Sequence, residues 1–594
     1  MTFTSTWLNS NTDHGLLVAF GEYLQQHGLL NDLLQVPIKQ KTIRFRPQTK
    51  LIEMLAGILS GIEYLSDLND GPRPLAKDLV VARAWGQSAF AHYSSVSRTL
   101  DRCDARTVTA VHLAIARVSQ PFIQAEVHAL LRADLPLVYD IDLTGQAVSA
   151  TSTTYPAAAF GWMNDSVKLG YQLARVCLST QHQGRLWLQG FHHPGNTASA
   201  SCLQELMGAA EAQTGVRPHR RTDLVRQRGA AQEQLRLRPQ RLLDQQQGQH
   251  QRLQATHERV TLQISDATGL LKKPISAAKS ADVRQQLPRW RARLPRLSQQ
   301  LQDSQRAIAY HQAYLQQLGD EATRLRAWLG QLEEDNRTNS DPPTCEARMD
   351  SGFCGGTQLT WLIEMGYRVN TKAPGDHTTT ALRAALQPEA AWTLVGNNAE
   401  MIRCENYLLH DCPYPLTAAL ERFKVGAAYK YATLLQFRDD SPCPALPQWF
   451  DDYNGRQLIE AGNKELKTGV FHIQHLMSRA SAGIQLQVLF AGLAANCVHW
   501  AMPWLRACAA PSTAKLTQTL NSPKRMVRVA ANSSACVQHT SAGTALQFAP
   551  TSALPGVILF LKGVPAFQLS LGFHQPHKIA TDSQKQALVA QNLR

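Results

Sequence analysis

The sequence lacks a regular framework of cysteines. Its eleven cysteines, from Cys103 to Cys536, are odd in number and scattered, and no two of them form a CxxC pair. Zinc ribbons and disulfide-stapled secreted domains both need paired cysteines at regular spacing. We therefore expect a protein of a reducing compartment, the cytoplasm, without a zinc ribbon.

Long apolar runs and several common catalytic motifs are also missing. The most membrane-like run, residues 488–505, contains Asn496, His499 and Pro503, so it predicts a buried helix of a soluble protein and no membrane span. A glycine-rich phosphate loop and a serine nucleophile elbow are not found. The His472/His475 pair has HxxH spacing but no acidic or cysteine partner pattern beside it, which favours a structural role over a metal site.

Acidic charge is the next scarce feature. The chain of 594 residues has 46 acidic against 60 basic residues and a formal net charge of +14, while 44% of its residues are apolar. This composition is typical of a folded, multidomain protein. The basic excess indicates a polyanionic partner, which could be DNA, RNA or an anionic membrane surface.

One stretch, YNGRQLIEAGNKELK from Tyr453 to Lys467, groups polar residues at helical spacing. At about 100° per residue a single helix would carry Tyr453, Arg456, Glu460 and Lys467 on one narrow face. On a solvated helix this is an ordinary ion pair between Arg456 and Glu460. Alternatively, the carboxylate holds a divalent metal while the two cations hold phosphate oxygens.

Two upstream segments offer further carboxylates. LPLVYDIDLTG predicts a strand with Asp140 and Asp142 on the same face, so that either could be a ligand. Asp350 is predicted at the end of a strand, before a glycine-rich turn, which is where α/β proteins place their chemistry. The alternative is that Asp350 merely caps this turn through the backbone.

The spacing Tyr-x2-Arg-x3-Glu-x6-Lys resembles the signature of the DDE transposases of bacterial insertion sequences. Asp142-Leu143-Thr144 and Asp350-Ser351-Gly352 look like the contexts of that family's two aspartates. The resemblance implies an α/β, RNase H-like mixed-sheet catalytic core. It implies Asp142, Asp350 and Glu460 as catalytic ligands of two Mg²⁺ (or Mn²⁺) ions. Phosphate would be held by Arg456 and Lys467, and the backbone of the cleaved strand would be supported by Tyr453.

The activity that the resemblance implies is cleavage of double-stranded DNA at the element's terminal inverted repeats, followed by strand transfer into target DNA. The protein would act as a homodimer at the bacterial nucleoid. Two alternatives stay open: an RNase H-like nuclease or resolvase without strand transfer, and a non-catalytic DNA-binding assembly protein.

The predicted domain organisation has three parts. They are a helical DNA-end-binding domain (1–130), a catalytic domain (131–505) and a C-terminal region (506–594). In the first part the basic stretch KQKTIRFRPQTK and the segment around Ser97 and Arg98 could contact a DNA backbone, or be ordinary surface.

Two insertions interrupt the predicted catalytic domain. The first, 215–338, reads as an antiparallel helical hairpin, or coiled coil. Its second arm has an apolar seven-residue repeat, interrupted by Ser304 and His311, and Pro288 and Pro295 predict that its regular helix begins only near Arg296. It could be a spacer, a dimer contact or a DNA contact. The second insertion, 372–448, is predicted to be β-rich, with Trp392 and Tyr429 either buried in a sheet or stacking on a base.

Overall fold

The computed structural model describes residues 10–41, 44–163, 165–180, 184–387, 389–438, 443–509, 522–530, 533–540 and 543–561. The chain divides into two compact units. The first contains the residues up to Ser119, 149–158 and the chain from Asn463 onward, and the second contains 120–148 and 159–462. This division differs from the predicted one, in which the catalytic domain continues to residue 505.

The first unit is mainly helical. Its elements are α1 (Gly15–Gln26), α2 (Leu29–Leu34), α3 (Pro47–Leu59), α4 (Asp67–Asp70), α5 (Leu79–Ala84), α6 (Tyr93–Leu100), α15 (Ser481–Cys508) and α16 (Pro523–Ala530), with strands β1 (Ser10–Thr12), β12 (Ala535–Thr540), β13 (Gly543–Phe548) and β14 (Ile558–Leu561). The four strands form one sheet in the order β1-β12-β13-β14. Helix α7 (Ala105–Arg132) begins in this unit and ends in the other.

Helix α15 explains why the unit boundary falls earlier than predicted. Its apolar side chains pack on α3, α6 and α16 within the first unit. Among the described helices it alone is long and apolar enough to cross a membrane, and 78% of its most apolar window is buried. Such burial is that of a core helix in a soluble protein, as predicted.

The second unit is built on one mixed sheet of ten strands. The strands are β2 (Leu137–Ala147), β3 (Ala159–Met163), β4 (Ser166–Thr180), β5 (Gly184–Pro194), β6 (Cys345–Arg348), β7 (Arg368–Lys372), β8 (Thr393–Leu394), β9 (Ala399–Tyr407), β10 (Leu416–Val425) and β11 (Ala428–Phe437). The helices of this unit are α8 (Ser199–Thr214), α9 (Thr222–Leu270), α10 (Ala277–Arg337), α11 (Gly356–Glu364), α12 (Gly375–Ala384), α13 (Leu446–Asn454) and α14 (Gln457–Lys464). The prediction of a mixed α/β fold is therefore confirmed.

The order of the strands brings distant parts of the chain together. Strand β2 pairs antiparallel with β4, which pairs antiparallel with β5. On its other side β2 pairs parallel with β6, and β6 pairs parallel with β7. Strands β9 to β11 of the predicted β-rich insertion do not form a separate sheet, because β11 pairs with β7 and extends the central one. Asp142 on β2 and Asp350 after β6 thus lie on adjacent strands.

The predicted hairpin consists of α9 and α10, which pack lengthwise in opposite directions. Val225 near the start of α9 contacts Leu332 near the end of α10, and Ala267 near the end of α9 contacts Val283. The expectation that regular helix begins near Arg296 was wrong, because α10 is continuous from Ala277 through Pro288 and Pro295. Packing against α9 outweighs the loss of a backbone hydrogen bond at each proline.

Buried ion pairs join the base of the hairpin to the sheet unit. Arg220, almost fully buried, donates two hydrogen bonds to the Glu211 carboxylate at 2.8 and 2.7 Å and one to Asp335 at 2.9 Å. Glu364 accepts hydrogen bonds from Arg228 and Trp328 at 2.9 and 2.8 Å. These contacts connect both arms to α8 and α11, so the hairpin leaves the core at a defined position.

Candidate active site

The two aspartates of β2 have different surroundings. Asp140 is completely buried, and its two oxygens accept hydrogen bonds from Arg348 of β6 at 2.6 and 2.9 Å. Burial raises the pKa of Asp140, and the Arg348 charge opposes that shift. With both oxygens engaged by a buried counter-ion, Asp140 is a structural residue.

Asp142, two residues further along β2, interacts with a different arginine. Its Oδ1 accepts a hydrogen bond from Arg456 Nη2 at 2.5 Å, and 8% of each side chain is exposed. Strand alternation places Asp140 and Asp142 on the same face. Their cross-strand neighbours differ, because Asp140 lies opposite Arg348 of β6 and Asp142 lies opposite Arg175 of β4.

Asp350 follows β6 and has two roles at once. One oxygen accepts a hydrogen bond from the Gly352 backbone N–H at 2.9 Å, so it caps its own turn, and the other lies 3.7 Å from Arg456 Nη2. Burial and the nearby Asp142 charge raise the pKa of Asp350, while Arg456 lowers it. The turn contact leaves one oxygen of Asp350 directed toward Arg456.

Glu460 on α14 completes the group. Arg456 Nη1 donates a hydrogen bond to its Oε1 at 2.6 Å, and 54% of its side chain is exposed. The i,i+4 pair expected for a solvated helix is therefore present, but the same guanidinium also reaches Asp142 and Asp350. Burial lowers the pKa of Arg456, but the surrounding carboxylates, Asp142 first, outweigh it and leave the pKa raised.

The predicted single helix from Tyr453 to Lys467 was wrong. Helix α13 ends at Asn454 and α14 begins at Gln457, because the Asp452 carbonyl accepts a hydrogen bond from Arg348 instead of from the helix. The Arg456 N–H bonds the Tyr453 carbonyl at 3.0 Å. A side chain at Gly455 would overlap the Arg348 guanidinium. Arg348 thus both pairs with Asp140 and creates the bend at which Arg456 lies.

The two other signature residues lie in different settings. Tyr453 on α13 packs on the cluster of Met401, Ala419, Leu434 and Trp449, and burial raises its pKa to about 12. Lys467 lies in a π-helical turn, Glu465–Gly469, which belongs to the first unit. The structure thus brings Asp142, Asp350, Arg456 and Glu460 into one cluster.

The roles of two buried arginines, Arg348 and Arg175, were not predicted from the sequence. Arg175 is fully buried in β4 and donates a hydrogen bond to the Ile459 carbonyl of α14. A lone arginine inside the apolar run YQLARVCL was the available signal, because a buried charge requires a partner. Arg175 and Arg348 hold the two ends of the Tyr453–Glu460 segment against the sheet.

The prediction that Trp392 and Tyr429 of the β-rich insertion are buried in a sheet was wrong. Tyr429 is 46% exposed and Trp392 is half-buried. The Arg422 guanidinium lies over both rings, at 4.1 Å from the Trp392 centroid and 4.9 Å from that of Tyr429. Alternating cationic and aromatic surface is chemistry that suits a nucleic-acid strand.

The first unit has a separate basic groove of about 990 Å³. Its cationic side chains come from both predicted basic segments: Lys39, Lys41, Arg44, Lys50, Arg98 and Arg102. Thr99 of α6 bonds Gln40 at 2.7 Å and so joins the two segments. Burial, and to a lesser extent the Arg98 charge, lower the pKa of Lys50, while Glu53 opposes the shift.

The carboxylate cluster fits hard divalent cations by donor type. Asp142, Asp350 and Glu460 offer only oxygen, which Mg²⁺ and Mn²⁺ prefer, and all three already contact one cationic group. Their oxygens surround Arg456. Among the described residues, only Glu63, His472 and His475 place three His, Cys, Asp or Glu ligand atoms within 4.8 Å of one another, so the oxygens of Asp142, Asp350 and Glu460 do not all lie that close together.

No protein-family model matches the chain, and no curated protein matches it.

Proposed function

We propose that this protein is a DDE-type transposase, which cuts DNA at the ends of an insertion sequence and transfers the 3′-ends into target DNA. The observation that carries the proposal is the convergence of Asp142, Asp350 and Glu460 on Arg456. Asp142 lies on β2, Asp350 follows the parallel neighbour β6, and Glu460 lies on α14. An ordinary ion pair between Arg456 and Glu460 on a solvated helix would not require Asp142 and Asp350 beside it.

The sheet supports the proposed RNase H-like core. Strands β2, β4 and β5 form an antiparallel meander with Asp142 on its first strand, and the parallel strands β6 and β7 extend the sheet from β2. Asp350 at the carboxyl end of β6 lies where α/β folds carry their chemistry. Although two insertions interrupt the chain, these five strands remain neighbours in the sheet.

In the proposed mechanism, two divalent cations held by Asp142, Asp350 and Glu460 would activate the attacking oxygen and stabilise the leaving one. Arg456 supplies a planar fork of donors that matches two phosphate oxygens. Arg456 contacts carboxylates in the structure, and phosphate oxygens of bound DNA would replace them. Tyr453, packed on the Trp449 cluster, would border the strand to be cut.

The basic groove of the first unit and the Arg422 surface of the second are the proposed DNA contacts. The groove's lysines and arginines would hold phosphates without reading bases. Trp392 and Tyr429 offer ring faces on which an unpaired base can stack. We also propose that the protein recognises the bases of the terminal repeats and that it acts as a homodimer that joins two ends.

The direct test is a cleavage and joining assay with Mg²⁺ or Mn²⁺ on linear DNA that carries the sequences flanking the coding region. Glu460→Gln should abolish cleavage, because it removes a ligand charge at a half-exposed position with little structural cost. Binding of the same DNA should persist. The matched control, Glu334→Gln, replaces an exposed glutamate of the hairpin.

Each result of this assay has one meaning. Cleavage retained by Glu460→Gln would refute the assignment of the site. A protein that cuts but never joins DNA would be an RNase H-like nuclease or resolvase. DNA binding with no cleavage by the native protein under any divalent metal would favour a non-catalytic assembly protein.

A further inference from the structure

Two histidines and a glutamate form a second cluster, within the first unit. Glu63 lies in the turn between α3 and α4, and His472 and His475 follow the π-helical turn Glu465–Gly469. One ligating atom from each lies within 4.8 Å of the other two, and His472 Nδ1 is 3.9 Å from Glu63 Oε1. The acidic partner that the HxxH pair lacks in sequence therefore comes from a remote turn.

The backbone that carries the histidines is held in a costly conformation. His472 has a φ of 48°, in the left-handed region that residues other than glycine rarely adopt. The His475 N–H closes the turn on the His472 carbonyl at 2.9 Å. Such strained conformations persist where the surrounding structure imposes them, often at ligand sites.

A buried glutamine holds the backbone that follows His475. Gln487 of α15 is completely buried, donates a hydrogen bond to the His475 carbonyl at 2.9 Å and accepts one from the Met477 N–H at 3.0 Å. Its amide thus spans the chain on both sides of Leu476. The backbone of His475 is fixed before any ligand binds, which lowers the cost of binding one.

The turn of Glu63 is fixed in a comparable way. Asp67 accepts the backbone N–H groups of Glu63 and Tyr64 at 3.0 and 2.9 Å. The Tyr64 ring packs on the His475 ring with centroids 4.7 Å apart. The charged groups facing His472 are Glu63 and Asp67, which favour a bound cation, and Arg528, which opposes it.

We propose that Glu63, His472 and His475 bind a transition-metal ion of the zinc class. Two imidazole nitrogens and one carboxylate oxygen form a donor set suited to Zn²⁺, whereas the all-oxygen set of Asp142, Asp350 and Glu460 suits Mg²⁺. Three protein ligands leave a coordination position for water or another donor. The two sites would therefore select different metals from the same cell.

The zinc site would stabilise the segment that follows the candidate active-site helix. The Ile473 N–H bonds the Leu466 carbonyl at 3.0 Å, and the Val470 and Phe471 N–H groups bond the Glu465 carbonyl at 2.9 and 3.0 Å. These bonds connect the histidine turn to the π-helical turn that carries Lys467. A metal that ties His472 and His475 to Glu63 would hold this π-helical turn in place.

The test is a Zn²⁺ titration of the untagged full chain, freed of metal by dialysis, with an excess of Mg²⁺ and a competing chromogenic chelator. The variant is His472→Asn, because asparagine accepts the left-handed conformation but removes the imidazole. The control is His410→Asn, which changes a histidine that is 92% exposed in the second unit. X-ray absorption of the zinc-loaded native protein would count imidazole ligands.

We expect one tightly bound Zn²⁺ with two imidazole ligands in the native protein and in His410→Asn. In His472→Asn the affinity should fall by at least about 100-fold, since even loss of groups that only support ligands costs about 10–100-fold. Equal Zn²⁺ affinity in His472→Asn and native protein, or no tight Zn²⁺ binding in either, would overturn the proposal. Neither result depends on whether Glu460→Gln abolishes DNA cleavage.

Discussion

Arg456 donates a hydrogen bond to Asp142 at 2.5 Å, although the two residues lie 314 positions apart in the chain. The same guanidinium bonds Glu460 at 2.6 Å and lies 3.7 Å from Asp350. One buried cation therefore contacts three carboxylates, which lie on β2, directly after the adjacent strand β6, and on α14. This relationship makes the signature arginine the organising residue of the candidate active site.

Replacing this cation should make the protein dependent on divalent metal for its stability. Arg456→Gln removes the buried ion pair between Arg456 and Asp142, and breaking a buried pair costs about 3–5 kcal/mol. Mg²⁺ or Ca²⁺ should then raise the melting temperature of Arg456→Gln more than that of the native protein, because a ligand that binds only the folded state stabilises it. Thermal unfolding with and without metal measures both effects. Equal metal-induced shifts in the two proteins would contradict a shared cation site.

The buried pair of Asp140 and Arg348 should contribute strongly to the stability of the fold. Arg348→Met isolates the completely buried Asp140 and removes the bond to the Asp452 carbonyl, so we expect a loss of about 3–5 kcal/mol in the free energy of unfolding. Arg337→Met, at an exposed hairpin pair, should cost less than about 1 kcal/mol. Chemical denaturation compares the two variants.

Two further variants test which aspartate of β2, Asp140 or Asp142, is the first metal ligand. Asp140→Asn should lower stability yet retain Mn²⁺ binding when folded, whereas Asp142→Asn should lose affinity for Mn²⁺. The reverse pattern, measured by Mn²⁺ titration at a temperature where both variants are folded, would make Asp140 the ligand.

Glu53 should make the stability of the protein pH-dependent. Burial raises the pKa of this carboxyl to about 8 from an ordinary 4.5, although the Ala91 N–H bonds it at 2.8 Å. The folded state therefore holds a proton that the unfolded state releases between about pH 4.5 and 8. The contribution of Glu53 to stability should fall as pH rises through this window and stay low above it.

Glu53→Gln keeps the shape and the acceptor for Ala91 but cannot ionise. Its free energy of unfolding, measured by urea denaturation from pH 5 to pH 9, should lose this decline, and the variant should exceed the native protein at pH 9. Parallel curves for the two proteins across that range would show that Glu53 is not the group responsible.

Local patterns predicted the individual elements of the site, and long-range contacts decided its details. The strand that carries Asp140 and Asp142 follows from its β-rich composition, the turn after Asp350 from its glycines, and the helical hairpin from its apolar seven-residue repeat. The bend at Gly455 does not, because its cause is Arg348 on a strand far upstream. Nothing in the local sequence distinguishes Asp140 from Asp142, since only the register against β6 gives Asp140 its arginine.

The same limit applies elsewhere in the chain. Pro288 and Pro295 locally argue against helix, but the facing arm α9 keeps α10 continuous. Ser304 appeared to interrupt the apolar repeat, yet it is buried with Leu297, Leu318 and Leu325 on α10. The metal-binding potential of His472 and His475 depends on Glu63, which no spacing rule connects to them.

The proposed transposase site can be tested by locating bound Mn²⁺ in crystals of the protein from its anomalous scattering. We expect Mn²⁺ among the carboxylates of Asp142, Asp350 and Glu460, with the Arg456 guanidinium displaced from between them. Crystals with DNA bound should show the same ions, with Arg456 on phosphate. Mn²⁺ at saturating concentration that leaves these three carboxylates unoccupied, with and without DNA, would contradict the proposed transposase site.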